Sequence, residues 1–266
     1  MRTASPSIGL GLVLIAATLI GGGAVGDHRA ARADVRAPAG TVTPRRSFAI
    51  GHSVLGRTIR AVAIGERAGA TNVMVVGCIH GTEPAGTAIT SALRDANPPA
   101  GVALWLVDRF NPDGCAAGTR QNANGVDLNR NARWNWRPLD RPGGTYWSGP
   151  SALSEPESRA IRGFVRSRRP AVSIWYHQHS SLVDDPGRDR GIGRTYARLV
   201  GLPFRDYGPL PGKITGWQNS AFPHDTAFVV ELPPGELSSR ARARHVRAVL
   251  AVAALAAEVS ARHAPE

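Results

Sequence analysis

The chain has 266 residues, of which 42% are hydrophobic and 20% charged. That balance excludes an intrinsically disordered polypeptide and suffices for one α/β domain with a sizeable core. The formal net charge of +12 is almost wholly arginine, Lys213 being the single lysine, and a basic surface of this kind favours an anionic partner such as a cell-wall polymer or nucleic acid.

Arg2, the apolar run from Ile8 to Ile20 and the small-x-small site Ala31-Arg32-Ala33 read as a secretory signal peptide over residues 1–33. An uncleaved anchor is the weaker reading, because the apolar run falls short of the roughly 20 residues that span a bilayer. The expected product is secreted or held in the cell envelope. Export disfavours nucleic acid as a partner, and no membrane contact is expected once the signal is removed. Residues 34–46, rich in Pro, Ala and Arg, read as a loosely ordered lead-in to a domain over residues 47–266.

Phe48-Ala49-Ile50 and Ile59 to Ile64, separated by a glycine-containing link, predict an antiparallel hairpin at one edge of a sheet. The β-branched run Val75-Val76 then leads through Gly77-Cys78-Ile79 to His80-Gly81-Thr82-Glu83, and Pro84 suits the first turn of a helix reaching Leu93. His80 and Glu83 thus sit at a strand-to-helix corner. An imidazole and a carboxylate three positions apart can share one Zn²⁺, with a third protein ligand coming from elsewhere. A polar pair on a surface loop has the same spacing. Val102 to Val107 reads as the next strand, closed by the turn Asn111-Pro112-Asp113-Gly114. Strand, helix and strand in that order predict parallel pairing, with functional loops at the carboxyl ends of the strands. Cys78 and Cys115 are the only cysteines and flank two of these loops. In an exported protein such a pair predicts a disulfide.

A polar, glycine-containing stretch from Thr119 to Asn131 follows. With it the chain resembles the zinc metallocarboxypeptidases of the carboxypeptidase A type, and especially their short bacterial branch that includes murein peptide amidases. The matching segments are His80-Gly81-Thr82-Glu83, Asn111-Pro112-Asp113-Gly114, Gly125-Val126-Asp127-Leu128-Asn129-Arg130-Asn131, Ile174-Trp175-Tyr176-His177-Gln178 and Phe228-Val229-Val230-Glu231-Leu232. They occur in the family's order and cover essentially the whole expected mature chain. The resemblance implies a three-layer α/β/α domain with a central mixed, mainly parallel sheet, one zinc ion, and a monomer acting on a peptide or muropeptide substrate.

Residue by residue, the resemblance implies that His80, Glu83 and His177 ligate the metal, with His179 as the rival to His177. Two side chains two apart on a strand share a face, so alternation does not choose between them. Asp127 would accept a hydrogen bond from the far nitrogen of His80. Glu231 resembles the general base and Arg120 the oxyanion-stabilising arginine. Asn129 and Arg130 resemble the pair that holds the substrate's terminal carboxylate. Tyr207 falls roughly where the family carries a substrate-capping tyrosine. Taken singly, either arginine reads as a surface ion pair.

Ser154-Glu155-Pro156-Glu157 has capping-box spacing and opens a predicted helix through Ile161 and Val165. Trp134, Trp136, Tyr146 and Trp147 lie on a long connection, as groove lining or as anchors. Lys213 favours an acidic group or faces solvent. Arg240, Arg242, Arg244 and Arg247 read as a solvated helix face, and Val246, Val249, Leu250 and Ala253 as the apolar face of a closing helix. The function expected is a secreted zinc peptidase that removes C-terminal residues, with cell-wall peptides among its substrates, by attack of zinc-activated water. The alternatives are a non-catalytic zinc or cell-wall binding protein on the same fold, and a related zinc deacylase.

Overall fold

The computed structural model describes residues 45–187, 190–208 and 210–262. The signal-peptide segment and most of the lead-in lie outside the described residues. Arg45 and Arg46, assigned to the lead-in by sequence, already belong to the first strand.

Eight strands occur among the described residues, in chain order: β1 (Arg45–His52), β2 (Thr58–Ile64), β3 (Thr71–Val76), β4 (Val102–Val107), β5 (Val172–Gln178), β6 (Leu182–Asp184), β7 (Phe204–Arg205) and β8 (Thr226–Leu232). They form one mixed sheet in the order β1-β2-β4-β3-β5-β8-β6-β7. The central members β4, β3, β5 and β8 run parallel. The hairpin β1–β2 joins antiparallel at one edge, as its sequence predicts, and β6 pairs antiparallel with β8 near the other. Every residue of β4 is buried, which is why its sequence is continuously apolar and not alternating.

The described helices are α1 (Gly86–Leu93), α2 (Pro112–Ala117), α3 (Pro156–Arg168), α4 (Gly191–Val200), α5 (Ile214–Ala221) and α6 (Ser239–Arg262). Strand alternation sorts the core into two layers. Val73, Val75, Ile174 and Tyr176 face Ile89 and Leu93 of α1, Tyr196 of α4, and Val249 and Val252 of α6. Met74, Val76 and Trp175 face Ile161 and Val165 of α3 and Ile214 and Trp217 of α5. The result is the three-layer α/β/α arrangement expected.

Three local expectations change. Pro84 precedes the first helix, which begins at Gly86. The Asn111 to Gly114 turn continues into α2, with Asn111 Oδ1 accepting from Gly114 N at 2.9 Å as its cap. No capping box forms at Ser154. Glu155 takes the cap position of α3 without a side-chain cap bond, and Glu157 instead accepts from Val54 N and Asn122 Nδ2. Those long-range donors outcompete the local one because both ends of the contact are drawn into the protein interior.

Candidate metal centre and substrate cavity

The loop after β3 crosses the carboxyl end of the sheet against the start of α2. A Cβ on Gly81 would lie 2.0 Å from Gly114 O, so only glycine permits this approach. Glu83 N donates to His80 O at 2.9 Å, closing the turn that puts both side chains on the same side. His177 arrives from the end of β5. Parallel pairing of β5 with β8 sets His177 beside Glu231, the penultimate residue of β8.

His80, Glu83 and His177 converge, with one potential ligand atom from each lying within 4.8 Å of the others. His80 Nδ1 stands 2.9 Å from Glu83 Oε1, and His177 Nδ1 stands 2.9 Å from Glu83 Oε2. All three residues are buried. Burial opposes ionisation of Glu83, yet the hydrogen bond from His177 and the closeness of His80 outweigh it and hold the carboxyl far below its usual range. Burial lowers the His177 pKa and is only partly offset by Glu83, so the net shift favours the neutral imidazole. At His80 burial also lowers the pKa, but the charge of Asp127 reverses it and the net shift is upward. His80 Nδ1 is close to Glu83 but not aligned for a hydrogen bond, and it remains an unsatisfied buried nitrogen. His179 is exposed and stands apart from this cluster.

The segment from Arg120 to Asn131 wraps the cluster from the other side. Asp127 is fully buried, and its Oδ1 lies 2.9 Å from His80 Nε2. Because an ionised carboxylate only accepts, this contact leaves the proton on Nε2 and the lone pair on Nδ1, facing Glu83. Burial would raise the Asp127 pKa, but His80 and then Arg120 depress it strongly. Arg120 donates from Nε and Nη2 to Asp127 Oδ2, at 3.2 and 2.9 Å, and from Nη1 to Glu83 Oε1 at 2.8 Å. Asp127 also caps the 3-10 turn Leu128–Arg130 through Asn129 N. Asn129 Oδ1 accepts from Ile214 N at 3.1 Å, which ties the turn to α5. Arg130 Nη1 donates to Asn129 O, and its guanidinium meets no carboxylate within ion-pair distance among the described residues.

These groups open onto a cavity of about 250 Å³ whose lining includes Glu83, Arg120, Asn129, Arg130, His177 and Glu231. Tyr146 and Tyr207, 50% and 55% exposed, also line it and therefore mark its mouth. The Tyr146 ring lies under both arginines, 5.3 Å from the Arg120 guanidinium carbon and 5.4 Å from that of Arg130. Trp136 is a loop anchor by contrast, its Nε1 donating to Ser148 O. Lys213, for which the sequence left solvent exposure open, is buried in the cavity wall against Asp184. Asp184 was not legible as a site residue. Its only signal was the acidic pair Asp184-Asp185 directly after the apolar pair Leu182-Val183.

The expected Cys78–Cys115 disulfide is absent; both are free thiols. The loops do bring the two thiols close enough to influence one another. Cys78 Sγ turns toward His80 O at 3.1 Å, and its pKa is driven upward by that thiol contact and by burial, while that of Cys115 is lowered.

Residues 100–196 match the zinc carboxypeptidase family, and residues 54–142 match a family described only as of unknown function, DUF2817. Murein peptide amidase A of Escherichia coli K12 is 29% identical over 175 residues, 60% of this chain and 71% of that protein. Its namesake in Vibrio campbellii is 29% identical over 213 residues, covering 72% and 83%. The crystal structure of the murein-tripeptide amidase MpaA from E. coli O157 superposes with a TM-score of 0.65 at 25% identity, over 87% of this chain and 97% of that one. The chain is thus similar to the zinc carboxypeptidases over residues 100–196 and shares its fold with the murein-tripeptide amidase. Carboxypeptidase A of Helicoverpa armigera, at 20% identity and a TM-score of 0.69 over 82% of this chain and 70% of that one, shares the fold. That family is zinc-dependent, and the buried His80–Glu83–His177 cluster is the candidate metal centre of this chain.

Proposed function

We propose that the chain is a one-zinc amidase that hydrolyses the amide bond preceding a residue with a free terminal carboxylate, in peptides of the cell wall. One observation carries the reading: a single cavity is lined by Glu83 and His177 of the three-residue ligand cluster, by the carboxylate of Glu231, and by Arg130, whose guanidinium lacks an anionic partner among the described residues. The murein part of the proposal is supported by the names of the relatives that match most of this chain.

The donor set suits zinc. Two imidazoles and a carboxylate form a known catalytic combination with an open fourth position. The buried, unsatisfied Nδ1 of His80 is the atom such an ion would engage, since an unmet buried nitrogen otherwise costs about 1–3 kcal/mol. When bound, zinc supplies Lewis-acid polarisation of a carbonyl and lowers the pKa of water. Asp127 holds the His80 tautomer. Glu231 takes a proton from the attacking water as the new C–O bond forms, then delivers it to the leaving nitrogen as the C–N bond breaks. Arg120 donates one N–H from each terminal nitrogen to its carboxylate partners, and the second N–H of each remains for the developing oxyanion. Arg130, with Asn129, grips the terminal carboxylate through a planar fork. Tyr207 closes over the occupant from the mouth. The same reading places the protein outside the cytoplasm, with the apolar segment from Ile8 to Ile20 as the export signal.

The test incubates zinc-loaded protein with muropeptides and with synthetic peptides ending in a free acid or an amide, and identifies the products by mass. Free acids are expected to be cleaved much faster. Glu231→Gln should keep zinc and substrate affinity while losing most turnover. Equal cleavage of acid and amide by the wild type removes Arg130 as a carboxylate anchor and ends the proposal.

A further inference from the structure

Besides Arg120 and Arg130 the cavity holds a third cation, less exposed than either. Exposed Tyr146 and Tyr207 mark the mouth, so lining residues that are almost inaccessible mark the interior. Lys213 and Asp184 are among these residues, as are His177 and Val229, the side chains of the ion pair being only 4% and 3% exposed. They come from separate elements: Asp184 ends β6, and Lys213 precedes the first turn of α5. Lys213 Nζ donates to Asp184 Oδ2, and Asp184 Oδ1 accepts from Tyr207 N at 3.0 Å.

The two partners are unequally satisfied. Each oxygen of Asp184 already has a donor. An ammonium carries three N–H donors, and Asp184 is the only acceptor for Lys213 Nζ among the described residues. The open valence of the pair is therefore that of a donor, within a cavity where a ligand is the available acceptor. Asp184 makes burial of the charge tolerable while the cavity is empty, since an isolated buried ammonium would be prohibitively costly. An ion pair of this kind contributes little net stability compared with apolar packing, so its retention in a cavity wall calls for a role in binding.

We infer that Lys213 is a specificity-determining residue which selects a leaving residue bearing a second carboxylate in its side chain. This rests on the reading that Arg130 holds the terminal carboxylate. With that group at Arg130, the rest of the residue occupies the same cavity, and a side-chain carboxylate completes the hydrogen bonding of Lys213. A neutral amide offers a weaker acceptor. A cationic side chain meets Lys213 as a like charge, and the Asp184 oxygens that would compensate it are already occupied. At about 250 Å³ the cavity is below the roughly 300–1,000 Å³ of pockets that enclose larger ligands, and it admits one residue.

The experiment compares glutamate with glutamine, which differ only in the group presented to Lys213. Zinc-loaded protein is titrated calorimetrically with each free amino acid, in both enantiomers, and kcat/KM is measured for peptide pairs ending in one or the other. The wild type should favour glutamate by about 10- to 100-fold, the range of one charge-assisted hydrogen bond. In the charge-neutral double variant Lys213→Met with Asp184→Asn the ratio, read within the variant, should fall to about one. Asp184→Asn alone should keep or enlarge the preference, because Lys213 then loses its internal anion. Equal binding of glutamate and glutamine by the wild type overturns the inference without recourse to any variant. So does a preference that survives in the double variant. Because the titration needs no turnover, selective binding without cleavage upholds the assignment of Lys213 while refuting the proposed amidase. Cleavage with no preference in either measurement does the reverse.

Discussion

Replacing Asp127 with Asn changes no atom's position in outline yet should disable the metal centre, and the reason can be counted at the side chain. Asp127 Oδ1 faces His80 Nε2 at 2.9 Å and Asn129 N at 2.9 Å, and Oδ2 faces Arg120 Nε and Nη2 at 3.2 and 2.9 Å. Every neighbour is a donor. An amide offers one acceptor oxygen and two N–H donors, so its NH₂ must confront either the imidazole N–H or the guanidinium. If the oxygen stays with His80, Arg120 is released from half of its anchorage; if it turns to Arg120, the His80 tautomer is no longer held. One charge-assisted hydrogen bond contributes about 1.5–3 kcal/mol. That range agrees with the roughly 10–100-fold loss of metal affinity or activity that follows removal of a carboxylate behind a ligating histidine. Zinc affinity of Asp127→Asn, measured by competition with a chromogenic chelator, should therefore fall by about 10–100-fold. Activity at saturating zinc should fall as well, because Arg120 lies in the cavity. Thermal unfolding of the metal-free proteins controls for general damage. Zinc affinity within about twofold of wild type in a folded variant would refute the reasoning, since the contact would then have no bearing on the ligand.

Two further outcomes follow from buried geometry. Gly212 has φ +65°, and an added Cβ would lie 1.9 Å from Arg130 O; Gly212→Ala should cost at least about 1–2 kcal/mol in chemical denaturation and weaken the affinity for free-acid peptides, with zinc content retained. Unchanged stability and KM would show that the backbone yields there at no cost to Arg130. His245 is buried on α6 and shares a 2.8 Å hydrogen bond with Tyr196, and burial, helped by the charge of Arg244, lowers its pKa from 6.5 to about 4. The unfolded chain then binds more protons than the folded one between these values, so stability is fully present above about pH 6.5 and is lost as pH falls toward 4, by about 3 kcal/mol at most. Denaturant titrations across that window should show a flatter profile for His245→Asn than for wild type, and parallel profiles would place the buried proton elsewhere.

Much of the site was legible because its chemistry is local. His80 and Glu83 lie three residues apart on a glycine-bearing corner, and Asp127, Asn129 and Arg130 crowd one short turn. The hairpin, the continuously apolar β4 and the apolar face of α6 also announced themselves, since side-chain periodicity is set by strand and helix geometry before any long-range contact forms. The choice of His177 over His179 was not of this kind. Both fit the strand pattern, and only the folded sheet shows one imidazole buried against Glu83 and the other in solvent. The capping box failed at Ser154 because Glu157 found its donors on Val54 and Asn122, which pattern reading within a single helix cannot weigh. The disulfide failed for a related reason: proximity of Cys78 and Cys115 followed from the loop order, but the state of their sulfurs did not.

The sequence by itself determined the residue types of the candidate metal centre and the alternation of strands and helices that carries them, because both are encoded within a few residues of chain. Only the tertiary structure decided which charges share the cavity. Asp184 and Lys213 are separated by 29 positions, and nothing in the neighbourhood of either names the other. Their pairing is set by where β6 and the start of α5 come to rest, and it is burial that turns an ordinary lysine and an ordinary aspartate into a cation with unspent donors in a cavity wall.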